Sequence, residues 1–490
     1  MGLFNIFKKG KKSDMSEGEL FRYETDLMTE DEGIVGEVEH GGPSSEDRDK
    51  RGRDRSDSHC SFVMGILDAT EVKGTDDLVV TGYVKGNVRS GITVGAIYYG
   101  DDNKSMSPAM IRDIEIDGKS VDTASDCHVT LILEGAVESD IRTGSTLYTR
   151  DMGSDTIHDA YVAAISEIYV KEKALDISDE EIKMLTITDC SEIWRLNNWY
   201  ITHEGKDEDD ATKEARKTRL EKIIIALKDK ILQAEEIYYV HDKNTGEAHL
   251  YSQTFEKGND DYICTPPNIM IVSKAYRKHY RKLYNTDNTE LAIVRNGKDK
   301  MGIHNFLAGN FLYNGACGVA VNAVQVSIMA GILVEKPDDS GIPIENIPVT
   351  NPNLVRWLLL IGQLDSPKED KEAALSFKLY YRFMGEELMK SRLIIPMKHQ
   401  GEDDKDDSED TDFGIATMKG KNTKEAVIMY TDWRRLRSEY GKDWDGMVHR
   451  VSGLIGKFDC ALNPTKYPAA GMYLTEDMYK GIVKMVKSDR

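Results

Sequence analysis

The chain has 490 residues, 40% of them hydrophobic and 30% charged. That is too long for one hydrophobic core, so two to four domains are expected. A net charge of -21 argues against a phosphate-binding surface spread over the whole molecule, and the average field repels nucleic acid and anionic lipid.

The chain opens Met1-Gly-Leu-Phe-Asn-Ile-Phe-Lys-Lys-Gly-Lys-Lys12. A signal peptide places its charge before its apolar run, and here the order is reversed. Ile6 stands where a myristoylation pattern needs Ser or Thr. Residues 2–12 have two readings. One is a frayed tail. The other is a weak membrane contact in which Leu3, Phe4, Ile6 and Phe7 enter an interface beside four lysines. A turn and a half of helix binds weakly, which favours the tail. Residues 1–60 as a whole read as a disordered charged segment, since 41–58 hold no aliphatic residue to seed a core.

From Phe62 to Arg150 short alternating strands are punctuated by glycine turns, over 62–67, 78–84, 95–99, 110–116, 128–133 and 145–148. Regular strand spacing with little helix predicts a small antiparallel β-barrel over 61–151. Thr81-Gly-Tyr-Val-Lys-Gly86, Gly91, Ile114-Glu115, Gly118-Lys119, Ala124 and Asp140-Ile-Arg-Thr-Gly144 resemble the second β-barrel domain of translation elongation factor Tu. The same glycines serve barrel turns whatever the domain binds.

A connecting segment leads to a largely helical stretch, 178–236, with Leu220, Ile223, Ile224, Leu227 and Ile231 on one face. Strands follow at 237–240, 248–251 and 269–272, then a helix over 274–283 and a strand at 318–322. The last 140 residues repeat that order. Helix is expected over 354–390 and strands at 393–397, 413–417 and 426–430. A helix from Trp433, a strand at 459–463 and a final helix over 476–486 complete the copy. Matching landmarks recur about 140–155 residues apart, as in a duplicated domain. The strand ending in Met429-Tyr-Thr-Asp-Trp433, the helix after it, Cys460-Ala-Leu-Asn-Pro464 and Ile395-Pro396 resemble the SseB (enhanced serine sensitivity) family of bacteria. Residues 230–332 read as a degraded copy, keeping Ile271-Val-Ser273 and Val321-Asn322. They lack the proline after Asn322 and carry an insertion near 285–300.

Six cysteines lie far apart with no C-x-x-C, and Cys127, Cys317 and Cys460 sit in apolar runs. They read as buried free thiols in a reducing compartment, so a cytoplasmic location is expected. No stretch approaches the ~20 apolar residues of a membrane helix, and 354–364 reads as a core helix.

Gly118-Lys-Ser120 gives half of a phosphate loop, but Asp113 stands where its first glycine belongs and no base-reading tetrad is present. An ordinary barrel turn is the expected reading. Asp412-Phe-Gly414 lacks the companion motifs of a kinase, and the acidic run 402–410 lacks EF-hand spacing. His203-Glu204 has no second histidine at zincin spacing, and His241, His249 and Cys264 are irregularly spaced for zinc. No catalytic residue, cofactor or metal is therefore assigned. The candidate interaction surface is Thr431, Asp432, Trp433, Asn463 and Pro464. Its alternative is structural: Thr431 or Asp432 caps the helix, Trp433 packs as core, and Asn463-Pro464 ends a strand.

The expected fold is multidomain: a disordered segment (1–60), a small antiparallel β-barrel (61–151), and two mixed α/β (α+β) SseB-like units at 178–335 and 351–490. The expected function is a non-enzymatic interaction or regulatory protein that docks protein partners. The alternative is a translation-associated factor without GTPase activity. With 14 acidic and 8 basic residues over 61–150, the barrel disfavours direct RNA contact.

Overall fold

The computed structural model describes residues 60–98, 107–172, 177–258, 261–323, 326–343, 346–364, 370–399, 413–420 and 425–488. The expectations for residues 1–59, for the acidic run 402–410 and for Asp412 lie outside the described residues. The chain divides at Ile223/Ile224 into two compact units.

The first unit opens with β1 (Ser61–Glu71), β2 (Asp77–Arg89), β3 (Thr93–Ile97), β4 (Ser107–Ile116), β5 (Lys119–Val121), β6 (Thr123–Glu134) and β7 (Thr146–Tyr148). The order β3-β7-β1-β2-β6-β4, together with the β3–β4 pairing, closes a six-stranded antiparallel barrel, and β5 extends β4 as a hairpin. Closure leaves those six strands without an open edge. Phe62, Met64 and Ile66 of β1 alternate inward and pack with Leu78, Val80, Ile111, Ile114, Leu131, Leu133 and Leu147.

Residues 151–178, expected as a connector, instead carry the helix Ser154–Ser166 and a π-helical turn, Glu167–Glu172. That helix buries Ile157, Tyr161, Ala164 and Ile165 at helical spacing. It lies so close to β1 that a Cβ on Gly65 would stand 2.5 Å from the Ala160 carbonyl oxygen. Helices Asp179–Met184, Ile187–Thr202 and Asp210–Gln233 follow, as expected. Asp189 is fully buried and accepts hydrogen bonds from the Tyr98 and Tyr161 hydroxyls, each at 2.7 Å. It also accepts from the Thr186 backbone N–H, so a charge withdrawn from water is met by donors.

The second unit holds two sets of strands in one order. The first set comprises β8 (Glu236–Asp242), β9 (Leu250–Tyr251), β10 (Thr254–Gly258), β11 (Asp261–Cys264), β12 (Asn268–Val272), β13 (Thr289–Arg295), β14 (Gly318–Val321) and β15 (Val326–Met329). Its main sheet runs β13-β8-β12-β14-β15, with β12 and β14 parallel. The second set comprises β16 (Leu393–His399), β17 (Phe413–Ile415), β18 (Thr417–Lys419), β19 (Glu425–Met429), β20 (Asp445–His449), β21 (Asp459–Leu462) and β22 (Met472–Leu474). Here β20 pairs β16, a single antiparallel bridge joins Ile394 to Tyr430 at the end of β19, and β19 runs parallel to β21, which pairs β22. A long helix leads into each set, Asp210–Gln233 before β8 and Lys371–Lys390 before β16.

This matching order corrects the expected insertion near 285–300. Its middle, 289–295, forms β13, which pairs β8 as β20 pairs β16, so that stretch is a regular member of the sheet. The two sets differ in the helix Gly302–Leu312, whose counterpart is a single 3-10 turn at Val451–Gly453. All six cysteines are free. Cys190 and Cys460 are buried, while Cys127 and Cys317 are only half-buried, unlike their expected place in the core. The helix Pro352–Gly362 is a core element, burying Leu354, Val355, Leu358, Leu359 and Leu360. Among the described residues no helix is long and apolar enough to cross a membrane.

Candidate functional site

The five candidate residues meet where β19 and β21 end side by side. Thr431, Asp432 and Asn463 are fully buried, while Trp433 and Pro464 are half-buried. Asp432 has extended backbone and caps the helix Trp433–Glu439, its Oδ1 accepting from the Arg435 N–H at 2.9 Å. The Thr431 hydroxyl donates to Asp432 Oδ2 at 2.8 Å. Asn463 takes a left-handed φ of 45° and accepts the Thr431 N–H at 3.0 Å. The capping alternative thus describes the local geometry, and three of the five residues have no exposed surface to offer a partner.

Trp433 packs beside Ile394, Ala416, Ile428, Tyr430 and Leu436, with its indole against the open face of Gly446. The Arg437 guanidinium lies 5.2 Å from its ring centroid. Pro464 lends its carbonyl to the Tyr430 hydroxyl at 3.4 Å. Next to them, burial and then the neighbouring Asp459 charge push the Cys460 thiol up to about 12. A thiol held that high stays protonated near neutral pH and is a poor nucleophile.

The cap also leads into a network that spacing alone does not reveal. Arg435 Nη1 donates to Asp432 Oδ2 at 2.6 Å. Its Nη2 reaches Asn314 Oδ1 at 2.8 Å and Glu247 Oε1 at 3.1 Å. Arg434 Nη2 donates to the same two acceptors, at 2.9 and 2.8 Å. Asn314 Nδ2 in turn donates to Glu247 Oε2 at 2.9 Å. Glu247 and Asn314 belong to the first strand set and the two arginines to the second, so the network fastens the halves of this unit together. The adjacent Arg434-Arg435 pair is the only sequence signal for it. Within the second half, Asn351 ties two segments together, donating to the carbonyls of Arg392 and Thr431 at 2.7 Å each.

Other residues singled out by sequence take structural places. Asp117 and Gly118 have positive φ in the β4–β5 turn, and Ser120 donates to Asp113 at 2.7 Å. That is an ordinary barrel turn. Gly82, by contrast, lies inside β2, where a Cβ would strike the Gly65 carbonyl. His203 ends the helix Ile187–Thr202 and stacks on Trp199 with centroids 4.8 Å apart. His249 Nδ1 lies 3.4 Å from Asp242 Oδ2. Among the described residues no group of three or more His, Cys, Asp or Glu side chains is arranged to hold a metal ion.

No family model matches the sequence, and no curated protein matches it. Among solved structures the chain is similar to translation elongation factor SelB from Methanococcus maripaludis, in its apo form and in complex with the GTP analogue GppNHp. In both cases identity is 24%, the match covers 19% of this chain and 20% of that chain, and the TM-score is 0.17. The chain therefore spans about a fifth of the length of the SelB structures it matches.

Proposed function

We propose that this chain is a non-enzymatic cytoplasmic interaction protein, in which a closed barrel and a fastened pair of SseB-like sheets present separate docking surfaces. The repeated strand order supports reading the two sheets as copies of one unit. The observation that carries the docking reading is the β10–β11 hairpin. Phe255 and Ile263 stand directly opposite each other across its strands, and they are 46% and 48% exposed. An aromatic–aliphatic cross-strand pair is ordinarily stabilised by cover on its apolar face, and an uncovered one marks a contact site. The occupant is a protein whose contact patch is apolar at its centre and basic at its rim, to complement a chain of net charge -21.

The test places a photo-crosslinking residue at 255 of the full chain and exposes it to native cytosol, with and without RNase. A discrete protein adduct that survives RNase and is lost in Ile263→Asp is expected. An adduct abolished by RNase, or one unchanged by Ile263→Asp, would overturn the reading.

A further inference from the structure

A second feature of the C-terminal strand set is independent of that docking surface. A cleft of about 480 Å³, open to solvent, is lined by Arg392, Val448, His449, Arg450, Ser452 and Gly453. No carboxylate is among these residues. Its two arginines flank the end of the antiparallel β16–β20 ladder: Leu393 pairs His449, Arg392 immediately precedes β16 and Arg450 immediately follows β20.

Elsewhere in the second unit Arg295, Arg434 and Arg435 pair with acids, while Arg277, Arg356 and Arg437 donate to a hydroxyl or to backbone carbonyls. The guanidinium groups of Arg392 and Arg450 have no hydrogen bond or ion pair with any described residue, and neither has the Ser452 hydroxyl. In a chain with 85 acidic and 64 basic residues, two cations left unmatched in one cleft form a local exception to the overall field.

The backbone on both sides of the cleft is held in place. The Asn351 side chain holds the Arg392 carbonyl, and His449 Nδ1 lies 2.8 Å from the Arg450 carbonyl oxygen. The His449 ring rests against Gly453 so closely that any Cβ there would collide with it.

We propose that this cleft binds the phosphate group of a phosphorylated small molecule. Two guanidinium forks match the charge and the oxygen geometry of a phosphate dianion, and the Ser452 hydroxyl adds a neutral donor. The cleft is an open depression larger than a phosphate alone requires, leaving room for a sugar-sized appendage that stays largely in solvent.

Calorimetry on the full chain at low salt tests this, with inorganic phosphate and ribose 5-phosphate as separate probes. Saturable binding of both is expected, tighter for the sugar phosphate if the rest of the cleft contributes. Equal affinity would assign the site to free phosphate. Arg392→Gln and Arg450→Gln should each weaken binding about tenfold or more, whereas Lys457→Gln, an exposed basic residue outside the cleft, should not. Ser452→Glu puts a carboxylate on an exposed position that folding tolerates, and it should abolish binding even if an arginine variant folds poorly. Absence of saturable heat, or equal losses in Arg450→Gln and Lys457→Gln, would overturn the proposal.

Discussion

Asn322 and Asn463 stand at the same point of the two strand sets and make the same hydrogen bonds. Each follows the second strand of a parallel pair with a left-handed φ, 47° and 45°. Each donates its N–H to the neighbouring strand, to Ile271 and Met429 at 2.9 and 2.8 Å. Each then accepts through Oδ1 the N–H two residues beyond that carbonyl, from Ser273 and Thr431 at 2.9 and 3.0 Å. Asparagine suits the position because it tolerates the left-handed region and supplies a short acceptor.

Asn463→Ala should therefore cost about 1–3 kcal/mol, because it strands the buried Thr431 N–H. Asn463→Gly relieves the backbone but still lacks the acceptor, so it should retain part of that loss. Hydrogen exchange on the full chain checks this directly. The Thr431 amide should exchange about tenfold faster or more in Asn463→Ala, and Ser273 likewise in Asn322→Ala. Unchanged protection at Thr431 would mean that the side-chain acceptor contributes nothing.

The strands, the final helices and the order in which the strands recur are legible in the sequence because their signals are local: alternation, helical periodicity and glycine turns. What was misread depended on partners distant in the chain. β13 reads as an insertion in the sequence because Thr289–Arg295 is only partly buried at the edge of its sheet, so its alternation is weak. The missing proline after Asn322 reads, in the sequence, as decay of the copy. In fact Ala323 has a φ of 53°, which proline's ring forbids, so the chain leaves the strand by another path. At the candidate site the residue types favour a cap over a surface, but they do not name the partners of that cap. The contact of Arg435 with Glu247, 188 residues away, is one that no local pattern shows.

That pairing gives a sharp contrast between adjacent arginines. Arg435 is 7% exposed and bridges Asp432, which is fully buried, to Glu247, whereas the Arg434 side chain is 39% exposed. Arg435→Ala leaves Asp432 charged and unpaired in the interior and should cost about 3–5 kcal/mol. Arg434→Ala removes a solvated ion pair and should cost under about 1 kcal/mol. Urea unfolding of the full chain followed by tryptophan fluorescence distinguishes the two. Similar losses for both variants would show that burial of Arg435 carries no energetic weight.

Acid should loosen the turn after β8 in a definite window. Burial raises the Asp242 pKa, but the His249 contact and the Thr245 N–H and hydroxyl outweigh it, leaving the carboxyl below its ordinary value. A depressed folded pKa contributes stability that is present above the unfolded value, about 3.9, and is lost as pH falls through the folded value. Amide protection at Thr245, which donates to Asp242 Oδ1 at 2.8 Å, should hold from pH 7 to about 5 and fall below about 4. In Asp242→Asn the same amide should start less protected and lose the pH step. A step that persists in that variant would assign it to another group.

The last prediction separates the parts of the strand-to-helix joint. Trp433 is half-buried against Gly446 and the Ile394–Tyr430 cluster, so Trp433→Ala opens a cavity and should cost about 2–4 kcal/mol, somewhat less than for a fully buried indole. Thr431→Ser keeps the hydroxyl that donates to Asp432 and removes one methyl, so its cost should stay near 0.8 kcal/mol. Asp432→Asn keeps an oxygen for the Arg435 N–H but loses the charge facing Arg435 Nη1. Asp432→Ala loses the cap as well, and should be worse by about 1 kcal/mol. The expected order of destabilisation among the Asp432 and Thr431 variants is thus Ala, then Asn, then Ser. Measuring protein crosslinking at position 255 on the same variants tells whether the joint is also a contact surface. If Trp433→Ala left unfolding unchanged but abolished a partner adduct, the exposed part of the indole would be an anchor for binding, and the interior role assigned to this residue would be wrong.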